Sequence, residues 1–189
     1  TNLTLGYRYM LHGESGKASD QLFSSLSIFE ELGDKSLVVK AYHYMSTNLF
    51  FSAGSVEDLY IYAHKTLELY RELGDSNAVA GMYVAFSGAY GVIHNMPEKG
   101  MPWSKKFLAI ADQVEISNIE RGVGYAIAGD LFFKEGDHEE CFRLYRKALS
   151  CYDTSIVEEH ALTAQQTGAM GIYFYHLGRY DSALFYSNK

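Results

Sequence analysis

The chain repeats itself every 41 residues, and that period constrains its fold more than any other feature. Phe29-Glu30-Glu31-Leu32-Gly33-Asp34 returns as Tyr70-Arg71-Glu72-Leu73-Gly74-Asp75, 41 positions later. Ser76-Asn77 returns as Ser117-Asn118 at the same spacing. Gly13, Gly54, Asn95 and Gly136 stand on one 41-residue ladder, and Gly88 and Gly129 on another. One inserted residue lengthens the next step to 42, carrying Gly129 to Gly171 and Gly136 to Gly178. A period of this length marks stacked supersecondary units, each of which hides its apolar face only against a neighbour.

Within a unit the pattern is that of two helices. Ala18, Leu22, Leu26, Phe29 and Leu32 fall three and four apart, as do Leu59, Ala63, Leu67, Tyr70 and Leu73. Such steps put one apolar stripe on one helix face. Leu-Gly-Asp closes both stripes: the Gly takes a left-handed cap and the Asp caps the next helix. Helix pairs are therefore expected at 3–12 with 16–32, 35–52 with 56–73, 77–94 with 102–114, 118–135 with 138–152, and 158–177 with 180–189. The units fall at about 1–34, 35–75, 76–116, 117–157 and 158–189 of one array. No segment alternates with period two, so no sheet is expected. The predicted fold is all-α, an α-α superhelix (solenoid) of about five antiparallel helix pairs.

Met170-Gly171, Phe174, Gly178, Tyr180 and Ala183 carry the spacings of the tetratricopeptide signature, and 177–184 resembles that family's inter-helix turn. Leu5-Gly6, Tyr9, Gly13 and Ala18 match at the same offsets, as do Ala128-Gly129, Phe132 and Gly136. The chain as a whole is similar to the tetratricopeptide repeat family. The second unit departs at Thr47 and Leu59, and the third at Gly91, Asn95 and Gly100. The usual repeat is about 34 residues, so each unit here is longer by about two helical turns. Long repeats closed by Leu-Gly-Asp resemble those of bacterial signalling and transcription regulators. HEAT-type repeats have a similar length but lack the Gly-x-Tyr-x-x-Ala turn.

The resemblance implies a protein- or peptide-binding scaffold whose concave groove is lined by first helices. Carried over position by position, the groove residues are Tyr44, Asn48 and Phe51; Ala85, Ala89 and Val92; Asp130, Phe133 and Lys134; and Ile172, Tyr175 and His176. Asn48 matches one Asn of the clamp that some members close on a peptide carboxylate. Tyr44 and Phe86 replace that clamp's Lys and second Asn, so an apolar peptide or helix is the expected ligand. The chain opens inside a first helix and stops partway along a second. A piece of a longer cytoplasmic bacterial regulator is therefore expected, with flanking domains of the same chain as further partners. The alternative is a passive spacer or dimerisation scaffold for those domains.

Chemistry is sparse. With a net charge of -7 and no Lys/Arg tract, nucleic acid is not the expected partner. No apolar run is long enough to span a membrane. No phosphate-binding loop or nucleophile elbow occurs, and Gly122-Val123-Gly124 reads as close helix packing rather than a nucleotide fingerprint. His138 and Cys141, spaced i and i+3, form at best a two-point metal edge, the basis of a remote metal-dependent enzyme reading. Glu158-Glu159-His160 reads as a charged helix start. The expected chain is not an enzyme and needs no cofactor or metal. Cys141 and Cys151 share one helix about 15 Å apart, too far to pair. Both prolines and the lone Trp103 cluster at 95–103. Pro102 is expected to delay its helix until about residue 102. The loop before it is either an exposed contact or a turn that tucks Trp103 into the core.

Overall fold

A computed structural model describes residues 2–52, 56–152 and 157–187. Among them the chain is helical, with no strand. It divides into two compact units, residues 1–79 and 80–189. In the first, α1 (Asn2–Leu11) packs on α2 (Ser15–Leu32), α2 on α3 (Lys35–Phe51), and α3 on α4 (Val56–Glu72). α5 (Ser76–Gly88) follows and continues as a π-helical segment, Ala89–Ile93. In the second unit α6 (Pro97–Ile110) packs on that segment and on α7 (Asn118–Lys134). α7 then packs on α8 (His138–Cys151), α8 on α9 (Val157–His176), and α9 on α10 (Tyr180–Ser187). This is the expected all-α repeat of helix pairs.

The repeated Leu-Gly-Asp works as its residues require. Gly33 and Gly74 take φ of 68° and 70°, where a side chain would be strained. Asp34 Oδ1 then accepts from the Leu37 amide at 3.1 Å, and Asp75 Oδ1 from the Ala78 amide at 2.9 Å. Asp137 does the same for α8, through the Glu140 amide at 3.1 Å. Ser117 forms a reciprocal capping box with Glu120 at the start of α7. The predicted stripes face inward for most of their length. Ala18, Leu22, Leu26, Leu59, Ala63 and Leu67 are buried, whereas Leu32 and Leu73, beside the turns, are exposed. Gly54 lies outside the described residues.

The signature glycines sit where helices cross. A Cβ at Gly6 would stand 2.9 Å from Leu22 Cγ, and one at Gly129 would stand 3.2 Å from the Tyr145 ring. At Gly122 and Gly124 a Cβ would come within 2.4 Å of Tyr152 and Phe107 respectively, so that pair permits close packing. Two separate cores result. Leu22, Leu26, Val38, Ala41, Tyr42 and Met45 form the first, and Phe107, Tyr125, Leu144, Tyr145 and Met170 anchor the second.

The third unit corrects one expectation. Its second helix starts at Pro97, not near Pro102, and Pro102 lies inside it. Pro97 is preset for a first helical position. Pro102 frees only the carbonyl of Glu98, in the exposed first turn, so the helix tolerates it. The departures from the family pattern also fit together. Asn95 takes φ of 50° in place of the turn glycine. Gly91 and Gly100 face each other so closely that a Cβ on Gly100 would stand 2.7 Å from Gly91 Cα. Trp103 tucks inward, its ring stacked 4.7 Å from Phe86, with Lys106 Nζ 4.1 Å above it.

Candidate protein-binding surface

Of the residues assigned to a groove, Asn48, Asp130 and Lys134 have polar partners inside the fold, whereas Ala85, Val92, Ile172, Tyr175 and His176 are exposed. In the first unit Asn48 is 2% exposed. Its Nδ2 donates to the Ser15 carbonyl at 3.1 Å and to Ser19 Oγ at 3.0 Å, tying α3 to α2. Its Oδ1 is buried without a partner among the described residues. Tyr44 is half-buried, its ring 5.0 Å from that of Tyr7. The side chain of Phe51 lies outside the described residues.

In the second unit Asp130 is half-buried and accepts a hydrogen bond from the Tyr145 hydroxyl. Burial pushes its carboxyl above the usual range, against the opposing pull of Tyr145 and Lys134. Lys134 Nζ donates to the Gly91 carbonyl at 2.9 Å and to Asn95 Oδ1 at 2.8 Å. It thereby holds α7 to the end of the π-helical segment. Phe133 packs on Tyr173, with centroids 3.7 Å apart. Ala89 is half-buried, whereas Ala85, Val92, Ile172, Tyr175 and His176 are exposed. Ile172, Tyr175 and His176 come together on the last turns of α9, and the Tyr175 ring lies 5.8 Å from that of Tyr180. Val92 continues into exposed Ile93 and Met96, an apolar strip that the repeat signature did not mark. Val92 and Ile93 lie in the π-helical segment, whose wider turn departs from the 3.6-residue period that marks a helix face.

The residues with reactive side chains are placed as follows. Cys141 is fully buried, and burial pushes its thiol up to about 12. His138 starts α8 and packs against Phe133 at 5.2 Å. Cys141 and Cys151 are both free. The side chains of Glu158, Glu159 and His160 lie outside the described residues. Among the described residues no three His, Cys, Asp or Glu converge on a point that could hold a metal. None of the described helices is long and apolar enough to cross a membrane.

Residues 125–189 match the tetratricopeptide repeat family model. The match begins on α7 and takes in Gly129, Gly136, Gly171 and Gly178, whose spacing suggested the resemblance. No curated protein matches the sequence. The family is a scaffold for protein interactions and typically not catalytic. The matched helices, α7 to α10, are thus similar to tetratricopeptide repeats, and the helix pairs before them share their glycine-spaced crossings.

Proposed function

We propose that the chain binds a protein or peptide partner through the exposed apolar side chains of its first helices. One observation carries this reading. Asn48, Asp130 and Lys134 use their polar atoms within the fold, while Val92, Ile172 and Tyr175 face solvent. Recognition is then by apolar and aromatic contact, suiting an amphipathic helix or an extended apolar peptide. It does not depend on capture of a terminal carboxylate. The biological setting we infer is the interaction region of a cytoplasmic bacterial regulator, on the strength of the long repeat with its Leu-Gly-Asp junction. Flanking domains of the same chain are the next candidate partners.

The test is affinity capture from native lysate with the wild-type chain and a Val92→Ser/Tyr175→Ala double variant. The variant is expected to lose partners that the wild type retains. Equal recovery of every partner by both forms rules this surface out. Asn48→Ala is a poor probe, because it breaks the α3–α2 tie before it touches any ligand.

A further inference from the structure

Between the second helices α8 and α10 runs a groove with an aromatic floor and two unpaired cations. Phe142, Phe174 and Tyr186 stack as a column, with centroids 4.3 and 5.3 Å apart and planes within 15° and 11° of parallel. Phe185 stands beside Tyr186, 5.1 Å away and 54% exposed. The groove encloses about 470 Å³ and is lined by Arg146 of α8 and by Arg179, just ahead of α10. The Arg179 guanidinium lies 5.4 Å from the Phe174 ring centroid. Among the described residues neither guanidinium reaches a carboxylate. Their neighbours on α8 do: Arg143 pairs with Glu140 at 2.5 Å, and Lys147 with Asp112 at 3.0 Å.

The repeat shows that these arginines are not there to build the helices. Forty-two positions earlier, Arg146 corresponds to Ser104 and Arg179 to Asp137. Ser104 is buried and hydrogen-bonded to Ser87, and Asp137 caps α8. Arg179 has no acceptor atom with which to cap α10, so that helix forgoes the stabilisation a capping Asp supplies. Nor is the groove open for want of a neighbour, since both walls and the Phe174 floor lie within the array. Arg179, Asp181 and Phe185 correspond to Asp137, Glu139 and Arg143, which are also exposed although α9 and α10 follow them. Phe142 of α8, not those side chains, meets the rings of α9. A helix pair stacked in the same way on α10 would meet Leu184, the counterpart of Phe142, and leave the groove as it is.

We propose that this groove binds an acidic segment of a protein partner, whose Asp or Glu carboxylate pairs with Arg146 and Arg179 while an adjacent aromatic side chain lies against Phe185 and Tyr186. A planar guanidinium meets a carboxylate through two parallel hydrogen bonds. The rings along the floor limit the access of water, which strengthens such a pair beyond one wholly in solvent. Charge selects the anion. Asp181 shares the groove with the two arginines, leaving one net positive charge, which a single carboxylate balances. A phosphate, with about two negative charges at neutral pH, overshoots it. The groove belongs to second helices, so this inference does not rest on the first-helix surface.

The probe is a library of random nonapeptides on phage, selected on the full chain and counter-selected on an Arg146→Gln/Arg179→Gln double variant. Enriched sequences are expected to carry Asp or Glu next to an aromatic residue. Failure of any sequence to distinguish the two forms, or enrichment without an acid, overturns the proposal. The leading peptide is then labelled and titrated by fluorescence anisotropy. Its affinity is expected to fall about tenfold or more when its acid becomes the amide, or when either arginine becomes Gln. Undiminished affinity in both arginine variants overturns the site. Tighter binding of the same peptide with phosphoserine in place of the acid would assign the groove to phosphate and overturn the carboxylate. Arg143→Gln removes a cation that Glu140 already pairs, and should leave affinity within about twofold. A loss as large as that of Arg146→Gln would mean general charge attraction and overturn the groove. Circular dichroism checks that the variants, all at exposed positions, remain folded. The Val92→Ser/Tyr175→Ala variant is expected to bind the peptide as wild type does, so the two readings fail independently.

Discussion

Asp130 shows how a single residue of the candidate surface answers to the fold. Its carboxylate is half-buried, held by the Tyr145 hydroxyl and influenced by Lys134, yet burial dominates and its pKa is raised. A carboxyl with a raised folded pKa contributes stability that is fully present below its unfolded value. That contribution is lost as pH rises through the folded value. At neutral pH the charged Asp130 therefore costs stability. Asp130→Asn keeps an acceptor for Tyr145 and removes the charge. Urea denaturation is expected to show the variant more stable than wild type at pH 7. The difference should close as pH falls below about 4, where an unfolded aspartate is itself protonated. A variant less stable at pH 7 would mean that the charge, not the acceptor, is what Tyr145 and Lys134 require.

At the scale of elements, caps and crossings hold the helices in place. Asp34 caps α3 through the Leu37 amide, so Asp34→Ala is expected to lower stability by about 1 kcal/mol, read from the denaturation midpoint at constant slope. The crossing of α6 with the π-helical segment gives a less intuitive outcome. The family pattern expects Ala at position 100, yet a Cβ there would meet Gly91 backbone atoms at 2.7 and 2.8 Å. Backbone cannot step aside as a flexible side chain can. Gly100→Ala, which restores the family residue, should destabilise by about 1–3 kcal/mol. A neutral result would show that α6 shifts freely on the π-helical segment.

For the whole molecule, the repeat makes stability a sum of local terms. Asp34 and Gly100 lie in different compact units and share no partner. The cost of Asp34→Ala combined with Gly100→Ala should therefore equal the sum of the single costs within about 0.5 kcal/mol, provided denaturation stays cooperative. A larger deviation would show that the two sites are energetically coupled. Much of this fold was legible in the sequence because its signals are local. Gly33 and Gly74 precede Asp34 and Asp75 wherever a helix must stop and the next begin, and the three-four spacing of Leu22 and Leu26 marks a face without reference to anything distant. The candidate surface was only partly legible. The pattern marked Ile172 and Tyr175 beside Asn48 and Lys134 with equal weight, since register along a helix says which positions share a face and not what that face meets. Amino-acid order by itself determined the helices, their turns and their period, through backbone propensities that act over a few residues. Tertiary structure alone decided that Asn48 ties α3 to α2, that Gly91 and Gly100 compensate for each other, and that Tyr173 packs between α7 and α8. Those outcomes depend on distances between groups far apart in the chain, which no local preference encodes.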